Sequence, residues 1–238
     1  ALVSISEQLH EATYSIGSQL LSMFTSNSAD SRLVYVVGRD AGSGTRTIRL
    51  AETGYGITKP VTQWRATCAT GVVSDLRLWP STVEEASQPA NMVNDPALQG
   101  NGGYVSGDSI ATIMGCTSSS VNIRDATNGV LASSQSIVLL ACLGLSDASQ
   151  AINSGAKGLS YGGFAYSPPA VREGSYTLWS YLHIFNVTGS LASDEIEVRD
   201  AIHSGLAAVT TDLNGVECLL DLSTMNVSRS EDGGLVGP

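Results

Sequence analysis

The 238-residue chain predicts an α/β fold, with strands and helices alternating along it. Three observations carry that expectation. Leu33-Val34-Tyr35-Val36-Val37 is an uninterrupted apolar, largely β-branched run that reads as a buried strand. Residues 5–24, 45–52 and 194–207 instead repeat their apolar side chains at, or close to, a helical period. Gly-rich corners at 38–44, 101–107 and 158–163 separate such segments.

Taken in order, Ile5, Leu9, Ala12, Ile16, Leu20 and Leu21 mark helix, divided into two pieces by Gly17. Residues 27–32 are a turn into the strand at 33–37. Thr45–Glu52 is the opening of a helix, stopped by Gly54-Tyr55-Gly56 and Pro60. Residues 61–80 read as β segments, with Trp64 and Trp79 in or beside a core. Asn101-Gly102-Gly103-Tyr104-Val105-Ser106-Gly107 leads into a helix over Asp108–Met114, capped by Ser106 or Asp108. Residues 132–145 mix an apolar run with Ser133 and Ser134, which are either cleft donors or strand and cap residues. Residues 178–185 are aromatic and extended or helical, 194–207 form an amphipathic helix, and the polar tail 228–238 is irregular. No internal repeat is visible.

Composition narrows the function. Twelve basic against 22 acidic residues leave a net charge of −10, which argues against a nucleic-acid surface built from clustered Lys and Arg. It leaves room for a small anion, because local dipoles and one or two Arg suffice for that. The Ser-, Thr-, Gly- and Ala-rich remainder suits an exported bacterial protein. No run approaches the roughly 18 apolar residues of a membrane span. The sequence starts at Ala1 without Met or a leader, as after signal-peptide removal or in a fragment. Cys68, Cys116, Cys142 and Cys218 lack C-x-x-C spacing, so no metal or cofactor is expected. They allow two disulfides in three pairings, or buried thiols.

The chemistry concentrates where the 33–37 strand hands over to a helix. Arg39, Ser43, Thr45 and Arg46 cluster around Gly42 and Gly44, next to backbone N–H groups at the positive end of a helix dipole. Hydroxyls and guanidinium groups there suit an oxyanion; a plain Gly-Ser-Gly turn is the alternative. The spacing is not that of a P-loop, a dinucleotide fingerprint or a nucleophile elbow. A hydrolase would need His10, His183 or His203 beside Ser43, and none sits in a loop that resembles a catalytic corner. Glu84-Glu85 and the acids at 194, 195 and 197 read as solvated faces. Asn186-Val187-Thr188 and Asn226-Val227-Ser228 match the N-glycosylation pattern, which matters only in a eukaryotic secretory setting.

Gly38-Arg39-Asp40-Ala41-Gly42-Ser43-Gly44-Thr45-Arg46 resembles the phosphate-binding loop of bacterial phosphate ABC-transporter substrate-binding proteins. The 101–107 corner is similar to that family's Gly-Tyr corner, and Lys157–Tyr161, Tyr166–Pro168 and Gly174–Tyr181 resemble its return crossing between lobes. The resemblance implies a type II periplasmic-binding-protein fold whose two lobes close on an anion. Residues 1–165 would be the second lobe and 166–238 the crossover and C-terminal part of an incomplete first lobe. It implies Arg39 on the oxyanion, hydroxyls from Ser43 and Thr45, and N–H groups from Gly44 and Thr45, with Arg46 in the cleft or over the helix. In the family an acid commonly stands two places after the Arg; here Ala41 does, and the acid is Asp40. An acceptor favours protonated phosphate, whereas donors alone suit sulfate or molybdate.

The expectation is therefore a periplasmic or secreted, monomeric, non-enzymatic protein that binds phosphate or a related oxyanion and presents it to an ABC permease in the inner membrane. An exported scaffold used for adhesion or sensing is the alternative, and a serine hydrolase the third reading.

Overall fold

A computed structural model describes residues 4–79, 99–183, 192–208, 211, 217 and 219–238. Glu84, Glu85, Asn186–Thr188 and Cys218 lie outside the described residues. The architecture is mixed α/β, with three sheets and seven helices among the described residues.

Strand β3 (Leu33–Val36) stands at the centre. It runs parallel to β8 (Ile137–Leu140) and antiparallel to β2 (Ser18–Leu20). Val34 packs with Ile5, Leu21 and Tyr161 on one face, and Val36 with Tyr14 and Leu50. Tyr35 and, just past the strand, Val37 enter the largest core, with Trp64, Trp79, Ile110 and Val121. Burial on both faces explains why the run is apolar throughout rather than alternating.

That core lies between the three-stranded sheet and a four-stranded one, ordered β4-β5-β6-β7, made of Trp64–Ala69, Val72–Leu78, Val121–Arg124 and Val130–Gln135. Helix α4 (Gly107–Met114), N-capped by Ser106 accepting from the Asp108 N–H, contributes Ile110 and Ile113 to it. A disulfide joins Cys68 on β4 to Cys116 beyond α4. Helix α5 (Leu145–Asn153) packs on α4, and Gln150 donates to Asp108 at 2.8 Å. The first strand, β1 (Ser4–Ile5), pairs in parallel with β9 (Ser160–Tyr161).

One expectation is corrected. The 5–24 segment does not continue as helix after Gly17: α1 (Glu7–Ile16) ends there, and 18–20 is strand β2 before the short α2 (Ser22–Thr25). Gly17 takes φ +79°, where its N–H caps Thr13, and a Cβ would strike Thr62 and Trp64. Pairing with β3 then outweighs the local helical pattern. The tail 228–238 is irregular, as expected, and is held in place: Ser228 and Gly237 exchange backbone hydrogen bonds, and Arg229 is buried. Helices α6 (Pro168–Arg172) and α7 (Ser193–Ala208) complete the described helices. Among the described residues no helix is long and apolar enough to cross a membrane.

Candidate functional site

Strand β3 delivers the chain through Gly38–Gly42 to helix α3 (Gly44–Glu52), with Ser43 as N-cap. Ser43 has the extended backbone an N-cap requires, φ −84° and ψ 124°, yet its side chain makes no capping bond. Its Oγ is buried and finds no hydrogen-bond partner among the described residues. The Ser43 carbonyl accepts from Thr47, whereas the N–H groups of Gly44, Thr45 and Arg46 find no acceptor among the described residues. An unused buried hydroxyl therefore stands beside first-turn donors at the positive end of a helix. Nothing crowds this position: a Cβ on Gly44 would meet no atom within 4 Å. Thr45 is half-buried and faces a cavity beside the helix.

The two sequence-identified arginines both donate to the 101–107 corner. Arg39 donates from Nε to the Tyr104 carbonyl at 3.1 Å and from Nη2 to the Val105 carbonyl at 2.7 Å. Arg46 donates from Nη1 to the carbonyls of Asn101 at 2.9 Å and Arg39 at 3.3 Å, and from Nη2 to Asn101 Oδ1. Both thus tie the 38–46 loop to the 101–107 corner. Burial lowers the Arg46 pKa from the usual guanidinium range, while Asp40 pushes it back up. Asp40 itself folds onto its own loop, accepting from the Gly42 N–H at 2.9 Å in an Asx turn.

The corner approaches so closely that it must carry glycine. A Cβ on Gly103 would lie 2.2 Å from the Arg39 carbonyl oxygen. Gln63 completes the clamp: fully buried, it donates Nε2 to the carbonyls of Gly102 at 2.7 Å and Arg39 at 3.1 Å. Asn101 Oδ1 also accepts from the Val61 N–H at 3.0 Å. Neither Gln63 nor Asn101 stands out as a site residue in sequence, although Asn101 heads a recognisable Gly-rich corner.

Of the six residues singled out in sequence, Ser43, Gly44 and Thr45 form the head of α3, with Ser43 buried, Thr45 half-buried and Gly44 exposed. Arg39, Asp40 and Arg46 shape the loop around it. Ser133 and Ser134 fall on exposed β7 and do not line the cavity beside α3. The histidines scatter. His10 is buried against Tyr14 and Tyr161, and burial together with the Arg49 charge lowers its pKa to about 3. His183 pairs with Asp232 at 2.9 Å, and His203 lines the cavity from α7. Comparison with known proteins finds no family model, no curated protein and no solved structure that matches this chain.

Proposed function

We propose that the chain is an extracytoplasmic solute-binding protein that holds phosphate or a related tetrahedral oxyanion at the head of α3 and presents it to an ABC-type permease. One observation carries this reading: the buried Ser43 Oγ lacks a partner beside the first-turn N–H groups of α3. A buried hydroxyl left unpaired costs about 1–3 kcal/mol, a cost that an oxyanion accepting its hydrogen bond removes. Ser43, Thr45 and the Gly44 and Thr45 N–H groups are the donors in this reading. Arg39 and Arg46 supply positive charge and hold the loop against the 101–107 corner. The second Asp40 oxygen is the acceptor that favours hydrogen phosphate over sulfate.

The lobes are assigned as residues 1–165 and 166–238, a monomer acting without covalent chemistry. The Cys68–Cys116 disulfide supports an oxidising, extracytoplasmic setting. The second reading, a binding-protein-like scaffold used for adhesion or sensing, is favoured by the engagement of Arg39 and Arg46 with carbonyls rather than with open space. Calorimetric titration of the chain with phosphate, sulfate and molybdate separates the two. The transport reading expects phosphate to bind near one equivalent, Arg39→Ala to abolish binding, and Asp40→Asn to narrow the preference for phosphate over sulfate. Binding of none of the three anions leaves the scaffold reading.

A further inference from the structure

The described residues bury three arginines, and they are not treated alike. Arg46 has carbonyls and Asn101. Arg229 stacks 4.1 Å over the Trp179 ring and pairs with Glu52 at 2.9 Å. Arg49 stacks 3.9 Å over the Tyr14 ring, but among the described residues no carboxylate pairs with it and no carbonyl accepts from it. Its Nε is buried without a hydrogen-bond partner. Guanidinium groups stay charged in proteins, so a buried one without an anion is costly. Burial depresses the Arg49 pKa, with only the Cys142 thiol acting in the opposite sense.

Arg49 sits one helical turn after Thr45, and both line a cavity of about 590 Å³. Its walls are mainly apolar and include Ile48, Tyr176, Leu178, Leu206 and Met225. Trp179 borders the same space, and its buried indole Nε1–H also lacks an acceptor among the described residues. An apolar chamber of this size with a few polar groups is the usual form of a small-molecule site. Arg49, whose side chain has the Cys142 thiol as a partner but whose Nε has none among the described residues, and the Trp179 indole leave donors unused here, so the missing partner is an acceptor, and beside a guanidinium it is an anion.

We propose that this cavity binds a small amphipathic carboxylate, its carboxylate on Arg49 and its apolar body against Tyr176, Leu178 and Trp179. Planar guanidinium and planar carboxylate match in two parallel hydrogen bonds. This seat on Arg49 lies one helical turn from the oxyanion seat at the head of α3, with Thr45 bordering both, and the assignment does not rest on that reading. Inorganic phosphate has no apolar body for these walls.

The test is calorimetric titration of the full chain with 4-phenylbutyrate and octanoate, each against its primary amide. Binding of at least one acid, with its amide at least tenfold weaker, is the expected result. Leu178→Trp, which fills the chamber and leaves Arg49 in place, abolishes acid binding without changing the response to inorganic phosphate. Arg49→Met, checked for folding by circular dichroism, removes the distinction between acid and amide. If that variant does not fold, the acid–amide pair and Leu178→Trp decide. Equal affinity for acid and amide, unchanged binding in Leu178→Trp, or no binding of either acid at millimolar concentration overturns the proposal. Competition by phosphate at one common site also overturns the separation of the two seats.

Discussion

Lowering the pH should cost this protein stability through one histidine. His10 is 4% exposed, packed between Tyr14 and Tyr161, and its Nδ1 has no partner among the described residues. Burial, reinforced by the Arg49 charge, lowers its pKa from 6.5 to about 3. The unfolded chain therefore binds a proton at His10 between these two values while the folded chain does not. Stability rises with pH across that window, is fully present above it, and falls as pH drops from 6.5 towards 3. The loss attributable to His10 is about 2 kcal/mol by pH 5 and about 4–5 kcal/mol by pH 3. Urea denaturation of the wild-type chain and of His10→Gln at pH 8 and pH 5 measures the first figure. The wild type should lose about 2 kcal/mol more than the variant over that interval. In parallel, the His10 imidazole resonances should show no titration above about pH 4. Equal losses in the two proteins, or an imidazole titrating near its ordinary value, would refute the argument.

Other perturbations test the scaffold around the site. Arg46→Met removes three hydrogen bonds and strands the Asn101 carbonyl, while the Arg39 carbonyl keeps Gln63; it should cost about 3 kcal/mol in urea titrations. Glu52→Gln leaves Arg229, whose side chain is 0% exposed, without its carboxylate, and unfolding free energy should fall by about 3–5 kcal/mol. Replacing Cys68 and Cys116 together by Ala opens a link of sequence separation 48 and should lower stability by about 4 kcal/mol on the chain-entropy model. Non-reducing and reducing gel mobility checks the pairing itself.

Elements set by local chemistry were the legible ones. β3 is recognisable because both of its faces are buried, and α4 because Ser106 caps it within its own segment. The head of α3 was legible for the same reason, as Gly, Ser and Thr concentrate at a strand-to-helix junction. What depended on distant partners was not. Residues 18–20 follow a helical pattern yet pair with β3, since a sheet neighbour offers more than local propensity. For Arg39 and Arg46 the sequence shows the charge but not the carbonyls they donate to, which lie 65 and 55 residues away. Gln63 bridges two loops through contacts 24 and 39 residues distant, and no spacing rule reports such a contact. Arg229 sits in a polar, Gly-rich tail that gives no hint of its pairing with Glu52, 177 residues earlier.

The central claim concerns Ser43, and one substitution separates structure from function there. Because the buried Oγ has no partner, Ser43→Ala removes an unsatisfied group, so the urea midpoint should stay the same or rise. If that hydroxyl serves an oxyanion, the same change should weaken phosphate binding by about tenfold in calorimetry, the equivalent of one hydrogen bond. The account predicts stability held and affinity lost in the same variant. Phosphate bound equally by the wild type and Ser43→Ala, or by neither, would contradict it.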